Sequence, residues 1–235
     1  MIVRADESSL LLITQPDHAA LAARLMTHWV AGGLPQAPRR SSILHAIREH
    51  DNGWQEIDLR PLVSEAGQIL DFVSAPIEVR QGIWPRGVGR LTTDPFAAAL
   101  VAEHAIQIYS RFQSDAAWAG FFSTMAQLRD THARTAGVTV TTVAEDYFFL
   151  RMADLISLAF CNGWAERQEL GAYSFTLEGD VMVIAPDPFG GVAVRLEVPA
   201  RRVPRTARWA ASIEAAWRSS ALETLRGEIR AQAVR

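Results

Sequence analysis

The stretch SILHAIREHDNGW, residues 42–54, decides how this chain is read. At 3.6 residues per turn, Ile43, Ile47, His50, Asp51 and Trp54 share one side of a helix. That helix is predicted to run from Ser41 or Ser42, either able to cap it, to about Gly53. Its apolar stripe is interrupted only by a histidine and an aspartate. Burying those two side chains is costly unless they meet partners in the core.

The same pattern recurs on either side. Upstream, residues 2–4 and 10–14 read as short strands, and Pro16 suits the first position of a helix running to about Val30 and ending at Gly32-Gly33. On that helix His18, Ala22, Leu25 and Trp29 share a face. Downstream, a helix from Pro95 to about Phe112 carries Ala97, Leu100, Val101, His104 and Ile108 on one stripe. A helix over 114–135 follows, then one over 142–168. There Asp154 is surrounded by Leu150, Met152, Leu155, Ile156, Leu158 and Ala159.

Between these helices the pattern dissolves. Residues 55–94 hold Pro61, Gly67, Pro76, Gly82, Pro85, Gly87 and Gly89. They read as a long irregular excursion, packed through Phe72, Ile77, Ile83 and Trp84, that covers a site. From Tyr173 the period drops to two: YSFTL, VMVIA and VAVRLEV read as strands, and residues 207–230 as a terminal helix. The expected fold is therefore mainly α, effectively an all-alpha helical bundle. A small β element is built from both ends, and residues 1–235 form a single domain.

Bulk properties narrow the function. The chain has 235 residues, 49 % of them hydrophobic, and a formal charge of −3. With a pI near 6.1, neither nucleic acid nor a membrane is an expected partner. All 23 basic residues are Arg, which excludes a lysine Schiff base and a P-loop lysine. Cys161 is the only cysteine and sits in an apolar run, so no intrachain disulfide is expected. The start, MIVRADESS, lacks the pattern of a signal peptide, and no apolar run approaches a membrane span. A cytoplasmic protein is expected, with room for a homo-oligomer.

A single inward His is more often a hydrogen-bonded core residue than a ligand, and a single buried Asp is often a cap or an Arg partner. Four separated helices each turning such groups inward change that balance. His18, His50, Asp51, His104 and Asp154 are the expected metal ligands. His and carboxylate donors suit Mn, Fe, Zn, Ni or Co better than Ca. Asp51 would also orient a water, and His104 would protonate a leaving group or bind phosphate. Asp58, just past the helix, reads as a partner behind the ligands or a general base, and equally as a turn residue. Arg86 and Arg90 flank glycines in the irregular segment and are the preferred contacts to an anionic substrate. His28, His45 and His132 read as surface or structural residues.

The order of these ligands resembles that of the HD-domain metal-dependent phosphohydrolases. By that resemblance, His18 matches their first His, His50-Asp51 their His-Asp pair, Asp154 their distant Asp and His104 an intervening residue. The phrases ITQPDHAALAARL, HDNGWQEID with Pro61 after it, DPFAAALVAEHA and RMADLISLAFC resemble an uncharacterised bacterial family known only as a domain of unknown function. The resemblance to HD enzymes implies hydrolysis of a small phosphate ester or nucleotide by metal-activated water. Two alternatives stand beside it: a di-iron oxygenase, against which the single intervening His weighs, and a non-catalytic ligand-binding protein.

Overall fold

A computed structural model of the chain describes residues 1–31, 33–34, 39–205 and 213–232. The first strands, β1 (Ile2–Ala5) and β2 (Ser9–Ile13), form an antiparallel hairpin. Its turn is tied by Asp6, which accepts bonds from the Ser8 and Ser9 amides. Thr14 then caps α1 (Gln15–Thr27) through the Asp17 amide, with Pro16 in the first turn. The Gly32 end of the predicted helix lies outside the described residues.

Helix α2 (Arg39–Glu49) ends earlier than its apolar stripe suggests. His50 and Asp51 lie just past it, and a 3₁₀ turn, Asn52–Trp54, follows. A short hairpin, β3 (Leu62–Val63) and β4 (Ile69–Leu70), leads to α3 (Ile77–Gly89). Next come α4 (Pro95–Ile108), capped by Asp94, and α5 (Ala119–Thr135). Helix α6 (Val140–Asn162) is capped by Thr139 and closed by Gly163 at φ 74°.

Five further strands complete the chain around a short helix. They are β5 (Gln168–Leu170), β6 (Tyr173–Glu178), β7 (Val181–Ala185), β8 (Val194–Pro204), then α7 (Ile213–Ser219) and β9 (Leu222–Ala231). Among the described residues, seven of the nine strands make one curled sheet, ordered β1-β2-β8-β9-β7-β6-β5. Only the β7–β9 pair is parallel.

This corrects the expectation of a mainly α, all-alpha, HD-like bundle with a small β element. The fold is mixed, with a large sheet beneath a layer of helices. Two segments depart most from expectation, and the first of them enlarges the sheet at the expense of helix. The first is β9, expected within a helix over 207–230. Leu222, Leu225 and Ile229 satisfy a helical period, and Leu, Glu, Arg and Ala are good helix formers. In the sheet, Leu225, Gly227 and Ile229 instead share a face, and β8 and β7 supply partners on both sides. A Cβ on Gly227 would overlap the Asp180 carbonyl oxygen and Phe160, so the glycine lets α6 lie close on the sheet.

The second is α3, expected as irregular chain. Gly82, Pro85 and Gly87 discourage helix in isolation. Packing overrides that, because Ile83, Trp84 and Val88 are buried. The turn after Asp51 meets α3 backbone to backbone: a Cβ on Gly53 would overlap the Ile83 carbonyl oxygen, and one on Gly87 would lie 2.7 Å from Asn52 Oδ1.

Helix α1 packs on β8, and α6 on β1 and β6. Helix α2 packs against α1, α4 and α6, and α4 also against α6, so the four helices surround one apolar interior. None of the described helices is long and apolar enough to cross a membrane.

Candidate metal centre

Four of those helices deliver one cluster. His18 comes from the first turn of α1, His50 and Asp51 from just past α2, His104 from α4 and Asp154 from α6. His18 Nε2 lies 2.7 Å from Asp51 Oδ2 and 3.9 Å from Asp154 Oδ1. His50 Nε2 lies 3.5 Å from Asp51 Oδ2 and 3.3 Å from Asp154 Oδ1. His104 Nε2 lies 3.9 Å from Asp154 Oδ2. The rings of His18, His50 and His104 meet edge to face, with centroids 5.0 and 5.1 Å apart. All five expected ligands thus come together.

Each imidazole is held by its other nitrogen. His18 Nδ1 bonds Ser157 Oγ at 3.0 Å, and that hydroxyl donates onward to the Asp154 carbonyl. His50 Nδ1 donates to the Ile47 carbonyl at 2.7 Å. His104 Nδ1 meets the Tyr147 hydroxyl at 3.1 Å. A carbonyl only accepts, so Nδ1 of His50 carries a proton. When the ring is neutral, its Nε2 is a bare lone pair facing two carboxylates. That atom is buried and has no hydrogen-bond partner.

Two outcomes relieve this clash: a proton on Nε2, or a cation among the three groups. The electrostatics describe the first. Burial lowers the pKa of His50, but the charges of Asp51 and Asp154 outweigh it and raise the ring to about 9. Burial opposes the charge on Asp154, yet the histidines around it hold its carboxyl at about 2, and Asp51 is lowered for the same reason. His104 is pushed down to about 4 by burial and stays neutral.

The donor set also fits the second outcome. Donors about 2.1 Å from an ion sit roughly 3.0–3.4 Å apart at octahedral to tetrahedral angles. The N–O separations here bracket that range. The cluster contains two overlapping triads that could hold a metal, His18-His50-Asp51 and His50-His104-Asp154. Both need the one free nitrogen of His50, so they describe a single ion more naturally than two.

A cavity of about 240 Å³ opens on the cluster. Asp51, His104 and Asp154 reach it, while His18 is fully buried. The rest of its wall is mainly aromatic and aliphatic, and includes Trp84 from α3. A groove along the sheet, near Asp180, Glu197 and Arg226, contains none of the expected ligands.

The remaining expected site residues lie elsewhere. Asp58 accepts from the Met1 amine at 2.9 Å and from the Gln15 amide at 2.7 Å, and so secures the strand-to-helix junction before His18. Burial raises its pKa. Arg86 bonds the Gly53 carbonyl and Glu56, and Arg90 bonds the Asn52 carbonyl and Glu56. Both clamp the turn after Asp51, and neither lines the cavity. His45 pairs with Asp94 at 2.9 Å, and His28 forms the C-cap of α1.

Ser157, Tyr147 and Gln15 were not singled out in the sequence. Ser157 and Tyr147 stand three residues after and seven before Asp154, so helical spacing from that aspartate points to both. Gln15 carries no such signal.

Compared with known proteins, residues 1–205 match the family model described as "Protein of unknown function (DUF3891)", and the chain belongs to that family. No curated protein and no solved structure matches it.

Proposed function

We propose that this chain is a metal-dependent hydrolase built on a single divalent transition ion. The observation that carries the proposal is the convergence of His18, His50, Asp51, His104 and Asp154, with the partnerless Nε2 of His50 at its middle. When bound, such an ion lowers the pKa of a coordinated water and polarises a substrate oxygen. His18 and His50 would hold it from the buried side. Asp51 and Asp154 offer carboxylate oxygens on the cavity side, able to hold a water by accepting its proton in a hydrogen bond. Neutral His104, steadied by Tyr147, serves as a ligand or takes a proton at Nε2.

Hydrolysis is suggested by the ligand order along the chain, which resembles that of HD-domain enzymes; the fold lends no support. The two-iron alternative is weakened by the sharing of His50. A phosphate ester is the substrate that the ligand order implies. No arginine lines the cavity to receive one, and Arg86 and Arg90 already pair with Glu56.

The test measures metal content and ester hydrolysis on one sample, with p-nitrophenyl acetate and p-nitrophenyl phosphate as probes. About one ion per chain is expected, with hydrolysis lost on chelation and restored by the metal. Metal-replete protein that hydrolyses neither probe, or activity that survives chelation, counts against the proposal.

A further inference from the structure

We infer that the cavity over the cluster binds a neutral, flat, mostly apolar molecule carrying one hydrogen-bond donor, about the size of a substituted aromatic ring. The inference deepens the hydrolase reading by naming the part of its substrate that the cavity seats beside the bond to be cleaved, and rests on that reading only for the charge balance. At roughly the 30 Å³ that one water occupies in the liquid, a cavity of about 240 Å³ offers the space of about eight waters, room for a single ring.

Three observations set the chemistry. First, the walls are Trp54, Phe72, Trp84, Tyr109, Leu158 and Trp164, which offer ring faces and edges to a flat ligand. Val73 and Ile108, 49 % and 38 % exposed, form an apolar approach. Second, the lining holds no Arg, and the chain has no Lys. A divalent ion in the cluster is balanced by Asp51 and Asp154, leaving no counter-charge for an anion and no surplus carboxylate for a cation. Third, Gln15 is 3 % exposed and lines the cavity, and its Oε1 has no hydrogen-bond partner. An acceptor buried without a donor is unfavourable. Oε1 is shielded from the cavity as the side chain stands, and the carboxamide turns to accept from a hydroxyl or N–H on the ligand.

The test titrates metal-loaded protein, its ion content measured, with phenol, benzene, phenyl phosphate and trimethylphenylammonium, followed by ligand-observed NMR. Phenol is expected to bind about tenfold or more tighter than either charged analogue. Gln15→Leu should weaken phenol about tenfold, the worth of one hydrogen bond of about 1.4 kcal/mol, and leave benzene nearly unchanged. Val73→Trp, at an exposed position, should weaken both by narrowing the approach. Tighter binding of phenyl phosphate or trimethylphenylammonium than of phenol overturns the inference, as does no binding of phenol. Phenol binding that depends on Gln15 in protein that takes up no metal would sink the hydrolase reading and leave this inference standing. Metal-loaded, hydrolytically active protein that ignores phenol would do the reverse.

Discussion

Each of the three inward histidines ties Nδ1 to the protein and turns Nε2 toward the centre. Such outer bonds fix the ring and the tautomer, and losing one commonly lowers metal affinity about 10–100-fold. Ser157→Ala and Tyr147→Phe are therefore expected to weaken metal binding by roughly that range in competition with a chromophoric chelator. The fold should be retained, because each substitution removes one hydroxyl. His50→Ala and Asp51→Ala should abolish binding outright while the far-ultraviolet circular dichroism is retained; full occupancy in both would remove them from the ligand set. Asp154→Asn keeps the shape and removes the charge, so it should lose the metal at a modest change in stability. The five residues of the cluster were legible in the sequence, because a polar residue on an apolar helical stripe is conspicuous. Asp58, Arg86 and Arg90 were not, because a polar residue outside a stripe carries no information about where the chain takes it. Asp58 turned to Met1 and Gln15, and the two arginines to Glu56.

Elements were legible where local preference and packing agree. Helices α1 and α4 have caps, Pro in the first turn and an apolar face, so each appears close to where it was expected; α6 begins close to expectation but stops at Gly163, short of the expected 168. Strands β6, β7 and β8 show a period of two. Helix α3 and strand β9 failed because distant partners decide them, and no local signal reports a partner. The glycines of α3 make this testable. Gly82 is an exposed helical position with open space around it, so Gly82→Ala should stabilise by about 0.5–1 kcal/mol in chemical denaturation. Gly53 abuts the Ile83 carbonyl, so Gly53→Ala should cost about 3 kcal/mol, the upper end of overpacking penalties. It should also weaken metal binding, since it displaces the turn that follows Asp51. Equal effects of the two substitutions would contradict the close contact. The buried face of α3 further implies slow amide exchange at Ile83, Trp84 and Val88 without ligand; fast exchange there would restore the reading of this stretch as irregular chain.

Across the whole molecule, the clustered residues span 18 to 154, so the candidate centre joins helices far apart in the chain. An ion bound only by the folded state stabilises it by mass action, about 2.7 kcal/mol at a hundredfold excess over Kd. Melting should rise with added metal and fall with chelator, and Asp154→Asn should be indifferent to both. The sheet has a different logic. Strand β9 follows every other described strand in the chain, yet it lies between β8 and β7. It is the keystone that joins a ladder of β1, β2 and β8 to one of β7, β6 and β5. During synthesis the helices that carry the cluster have emerged by Asn162, while two inner strand edges still wait for a partner. Unpaired edges recruit other chains. A chain stopped at Ser220 should keep helical dichroism yet self-associate in light scattering. The step most exposed to aggregation would then come late in translation, far in sequence from the chemistry it protects.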